Sequence, residues 1–107
     1  MPLARVRVEL YGTQAQLTAA RTQITSQYPQ ANRIYDRNDG TIARAGDRFA
    51  LTVDCRLKAK ADGDALWSKV QSQVAVLRTT GVTGRVTYHQ CPHLDAVVSC
   101  VPTVVVV

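Results

Sequence analysis

Apolar and polar residues alternate along Ala4-Arg5-Val6-Arg7-Val8-Glu9-Leu10-Tyr11, with Arg5, Arg7, Glu9 and Tyr11 at the odd positions. Successive side chains of a strand point to opposite faces, so this segment predicts a strand that buries one face and shows charge on the other. Phe49 to Lys58 repeats the pattern: Leu51, Val53, Cys55 and Leu57 are apolar, while Thr52, Asp54, Arg56 and Lys58 are polar. Between these two segments the period changes. Thr13 followed by Gln16 fits a capping box, and Leu17, Ala20, Ile24 and Tyr28 then fall on one helical face until Pro29 stops the helix. Asn32 to Arg37 predicts a short strand, and Asn38-Asp39-Gly40 a bulge or a turn. Thr41 to Arg44 is extended again, with Gly46-Asp47 as a tight hairpin into the strand from Arg48. Asp62 or Asp64 is expected to cap a second helix. Its buried stripe is Leu66, Trp67, Val70, Val74 and Leu77, closed by Thr80-Gly81. Val82 to Cys91 completes the set, with Gly84, Val86 and Tyr88 on one face and Arg85, Thr87, His89 and Cys91 on the other.

This βαββαβ order resembles the ferredoxin-like superfold over residues 4–91. The resemblance implies an α+β two-layer sandwich, an antiparallel sheet with two helices on one face. We therefore expect one domain, residues 1–91, followed by a C-terminal extended tail, residues 92–107. Element order alone carries no function. Gly12-Thr13-Gln14-Ala15 lacks the Cys-x-x-Cys of heavy-metal-associated domains, and Thr52, Asp54 and Arg56 stand where RNA-recognition motifs place aromatic residues.

The tail changes the picture. Ala96-Val97-Val98 and Val101 to Val107 are apolar strand formers broken by Pro102. Left unpaired they are an aggregation hazard. They are expected to pair with the chain's own sheet edge or, the reading preferred here, with a neighbouring subunit by strand addition. Val101, Val104, Val105 and Val106 are then candidate oligomer-interface residues.

The formal charge of +5 comes from 13 basic and 8 acidic residues. A basic balance permits binding to polyanions but does not specify it. Arginine dominates lysine, as in the proteins of GC-rich bacterial or phage genomes. No secretory leader is expected, because the first residues run straight into a strand. No apolar stretch reaches the roughly 20 residues of a membrane helix, so no membrane partner is expected. Three cysteines and no leader point to a reducing compartment with free thiols, cytoplasmic or within a virion.

Three chemistries compete. The bare sheet face would carry Arg5, Arg7, Arg56, Lys58 and Arg85, whose guanidinium forks match phosphate oxygens. Arg33, Tyr35 and Arg37 on the second strand would add a basic-aromatic patch. Alternatively Glu9 and Asp54 neutralise part of that face as ion pairs. His89, Cys91, His93 and Cys100 form a cluster of zinc-type ligands, although paired Cys-x-x-Cys knuckles are absent. No catalytic constellation, phosphate-binding loop or dinucleotide fingerprint is present. The sequence therefore leads to a non-catalytic, self-associating module that binds a protein partner in assembly or regulation. Its first alternative is a nucleic-acid-binding module, and its second a zinc-binding protein; otherwise no cofactor is expected.

Overall fold

The computed structural model describes residues 4–90 and 102–107. The first strand, β1 (Ala4–Gly12), lies between β4 (Arg48–Leu57) and β5 (Thr83–His89), antiparallel to both. Outside β4 lie two short strands, β2 (Ile34–Asn38) and β3 (Ile42–Ala45), which pair end to end along its length. Outside β5 lies β6 (Thr103–Val106). The result is a six-stranded antiparallel sheet in the order β2-β4-β1-β5-β6, with β3 also on β4.

Alternation decides which face is covered. Val6, Val8, Leu10, Leu51, Val53, Cys55, Leu57 and Val86 are almost completely buried. They meet Leu17, Ala20 and Ile24 of α1 (Gln14–Thr25) and Leu66, Trp67, Val70, Val74 and Leu77 of α2 (Lys60–Thr79) in one apolar cluster. Both helices thus lie on one face, and the molecule is a two-layer α+β sandwich. At roughly 1.5–3 kcal/mol per buried aliphatic side chain, this cluster is the main source of stability.

The capping box forms as the sequence indicates. The Thr13 hydroxyl accepts the Gln16 N–H at 3.2 Å, and Gln16 Oε1 accepts the Thr13 N–H at 2.9 Å. Gln16 Nε2 also donates to the Thr80 carbonyl at 2.7 Å, joining the start of α1 to the end of α2. The second cap is different. Neither Asp62 nor Asp64 caps α2, because the chain enters the helix at once from β4 and Ala59 occupies the cap position. Asp62 lies in the first turn, where a negative charge suits the helix dipole. Asp64 Oδ1 instead accepts from the Tyr88 hydroxyl at 2.8 Å.

The Asn38-Asp39-Gly40 segment separates β2 from β3, with Asn38 Oδ1 accepting the Gly40 N–H at 2.7 Å. A bulge between Ile34 and Asp36 shifts the register. It scatters the expected basic-aromatic patch. Arg33 sits in a short 3-10 turn and pairs with Asp62, Tyr35 lies at the bulge, and Arg37 faces the helix layer opposite Cys55. The Arg37 guanidinium lies 4.7 Å from the centre of the Tyr28 ring.

Burial pushes the Cys55 thiol up to about 12, with nearby Arg37 opposing the shift. A thiol reacts as thiolate, so Cys55 is expected to resist alkylation in the native protein and to react once denatured. Peptide mapping after a brief treatment near neutral pH checks this; rapid native labelling would contradict it. Burial also raises the Tyr28 and Tyr88 hydroxyls, Tyr88 further through its bond to Asp64. All three groups hold their protons more tightly when folded. The unfolded chain therefore ionises first, and the stability they add is complete below about pH 9 and is lost progressively as pH rises from their ordinary values of 9.0 to 10.0 through the raised values of the folded state. The expected slope is up to about 1.4 kcal/mol per pH unit for each group. Urea midpoints measured from about pH 8 to 11 should fall steadily, and a flat profile would contradict these assignments.

Candidate functional site

The open face of the sheet is built by register. Arg5 stands opposite Arg56 on one side and His89 on the other; Arg7 stands opposite Asp54 and Thr87; Glu9 stands opposite Thr52 and Arg85. Paired residues share a face, so Arg5, Arg7, Arg56 and Arg85 all lie on the side away from the helices. Lys58 follows β4 and is exposed.

Much of this charge is spoken for. Arg5 binds Asp54 with two parallel bonds, Nε to Oδ1 at 2.9 Å and Nη2 to Oδ2 at 2.7 Å. That hydrogen bond raises the Arg5 guanidinium above its ordinary value against the opposing effect of burial. Glu9 serves two cations at longer range, Arg7 at 3.4 Å and Arg85 at 3.5 Å. Arg56 and Lys58 have no ion-pair partner among the described residues. The Arg48 guanidinium covers the Tyr11 ring at 4.7 Å, which occupies the one aromatic residue of β1. The long pairs from Glu9 to Arg7 and Arg85 contribute at most about 1 kcal/mol each.

Beside Glu9 the face dips into a depression of about 230 Å³ floored by Arg5, Arg7, Glu9, Arg85, Thr87 and His89. Pro102 and Val104 wall its far side. The wall exists because β6 docks on β5, with Val104 opposite Thr87 and Val106 opposite Arg85.

Compared with known protein families, curated proteins and solved structures, the chain matches none.

Strand β6 of the tail pairs with the chain's own β5. Val105 pairs with Val86 and packs, together with Val107, against the core. Val104 and Val106 are turned to the open face and remain 47% and 67% exposed. The Val107 N–H bonds to the Gly84 carbonyl at 2.9 Å, which fixes the alternation of the ladder. Thr103 and Val105 aim their main-chain groups at β5, and Val104 and Val106 aim theirs outward. One outward group has a partner: the Arg78 guanidinium donates to the Val106 carbonyl at 2.7 Å.

Val101 and three members of the zinc-type cluster, Cys91, His93 and Cys100, lie outside the described residues. His89, the fourth, ends β5 on the open face, within the depression. Among the described residues no group of three or more His, Cys, Asp or Glu side chains comes together. None of the described helices is long and apolar enough to cross a membrane.

Two features escape the sequence: the wall from Pro102 and Val104, and the Arg78 contact. Both depend on which strand β6 joins, and local pattern does not encode that.

Proposed function

We propose that this protein is a non-catalytic, self-associating α+β module that works as an assembly or regulatory component, and that it associates through the β6 edge. The observation that carries this reading is the edge itself. Thr103 to Val106 contains neither charge nor proline, the devices that usually blunt an edge strand. Its outward main-chain groups at Val104 and Val106 form a ready template, and the same two residues expose apolar side chains. An antiparallel edge is self-complementary about a two-fold axis, so a second copy is the occupant it fits. Arg78 would yield the Val106 carbonyl, or share it, on pairing.

The strand order β2/β3-β4-β1-β5 supports the finer reading of a ferredoxin-like core in which the second strand is broken at residues 39–41 and β6 is added beyond the fourth. A protein partner of different sequence could use the same edge by strand addition.

Replacing Val104 and Val106 together with Lys tests the reading. Both side chains are exposed, so the fold should survive, while like charges would meet across the two-fold. The unmodified protein is expected to be a dimer or larger at micromolar concentration, and the double variant a monomer with a near-native thermal midpoint. A monomer before substitution, or an unchanged oligomer after it, would contradict the proposal.

A second reading, a nucleic-acid-binding module, is favoured by the unpartnered Arg56 and the exposed Lys58 beside Arg5, Arg7 and Arg85. Affinity for an oligonucleotide should then fall steeply with salt, and weaken roughly tenfold when Arg56 and Lys58 are both replaced by Ala, for the loss of two phosphate contacts. Absence of binding at low salt would dispose of it.

A further inference from the structure

We propose that the depression on the open face is an oxyanion site for a phosphate ester, held by Arg7 and Arg85. Arg7 Nε is buried from solvent and has no hydrogen-bond partner among the described residues. The Glu9 carboxylate is 3.4 Å away, but the contact does not satisfy that donor. Buried N–H donors are nearly always paired, and a charged donor in want of an acceptor is best served by an anionic oxygen.

The charge balance points the same way. Arg5 is committed to Asp54 through both arms of its fork. Glu9 alone faces both Arg7 and Arg85, at distances too long for good charge-assisted bonds. One carboxylate between two guanidinium groups leaves a positive surplus at the floor. Each guanidinium carries five donors, so a tetrahedral oxyanion can collect several without displacing Glu9. Thr87, opposite Arg7, adds a hydroxyl, and His89, opposite Arg5, adds an imidazole.

The wall selects the kind of anion. Pro102 and Val104 present apolar surface to a volume of about 230 Å³. That suits the carbon substituent of an ester beside its phosphoryl group better than a fully hydrated inorganic ion. The site lies within one chain and rests on neither reading of the previous subsection. A dimer without ligand, or a monomer with one, leaves each question separately answerable.

The test follows the side-chain Nε–H signals of arginine by NMR while the full chain is titrated with inorganic phosphate, a small phosphomonoester and a short single-stranded oligonucleotide. The expected result is a saturable shift of the Arg7 Nε–H signal with the monoester, at least tenfold weaker in Arg85→Ala. Arg44, which lies on the other side of the sheet, should not respond. Similar affinity for monoester and oligonucleotide would assign the site to free esters. Much tighter, salt-dependent oligonucleotide binding would assign it to a polymer backbone; both support the proposal. An Arg7 signal unmoved by all three ligands at millimolar concentration would overturn it. So would a shift that Arg85→Ala leaves unchanged, provided the amide spectrum shows that the variant is folded.

Discussion

Gly84→Ala is expected to cost about 4 kcal/mol or more and to lower the thermal midpoint by roughly 15–30 °C. Gly84 lies in β5 directly opposite Leu10 of β1, with a φ of +143°, which side-chain-bearing residues rarely adopt. A methyl group there would overlap the Glu9 carbonyl oxygen and come within 2.9 Å of the Leu10 Cα. These are main-chain atoms of the central strand, so nothing flexible can give way. The same substitution at Gly46, in the β3–β4 hairpin, is the control. Its φ of +68° also disfavours alanine, but nothing lies within 4 Å of the added carbon, and the cost there should be nearer 1–2 kcal/mol. Chemical denaturation of both variants checks the pair. Equal losses would mean that backbone conformation, not the approach of β5 to β1, sets the price. The site depends on this approach, because it brings Arg85 to Glu9.

Trp67→Ala should lower stability by about 3–5 kcal/mol, the usual cost of truncating a large buried aromatic. Trp67 is 8% exposed and stacks on Tyr88 with ring centroids 5.4 Å apart and planes inclined by 21°. Such a pair adds roughly 0.5–1.5 kcal/mol beyond its buried area. Tyr88 is fixed at its far end by Asp64, which also accepts from Gln90 Nε2 at 3.1 Å. The cavity would open directly behind β5, the strand that carries Thr87 and His89 on its other face and holds β6. Trp67→Phe should recover more than half of the loss. A drop below about 1 kcal/mol for the alanine variant would show that α2 collapses onto the sheet without the indole.

The elements with strong local periods were legible in the sequence. Alternation alone places Val6, Val8 and Leu10 inside and Arg5, Arg7 and Glu9 outside, and both helical stripes bury as their spacing indicates. The ion pairing of Glu9 and Asp54 also followed from their neighbours. The cap of α2 did not, because Asp62 and Asp64 satisfy the composition of a cap while the length of β4 decides where the helix starts. Arg37 was misplaced because one extra residue at a bulge turns every following side chain to the other face. The tail was the largest gap. Four valines announce a strand, but its partner is a non-local choice, settled where Val105 and Val107 find the core and Val107 finds Gly84. The depression beside Glu9 was invisible for the same reason, since its apolar wall, Pro102 and Val104, comes with that docked strand.

Amide hydrogen exchange at Val104 and Val106 decides whether the β6 edge pairs with a second copy. Both N–H groups face away from β5 and have no main-chain partner among the described residues. Strong protection of both is expected at micromolar concentration, lost on dilution and lost in the Val104→Lys, Val106→Lys variant, while Val105 stays protected throughout. Rapid exchange at Val104 and Val106 at every concentration, beside a protected Val105, would contradict the pairing.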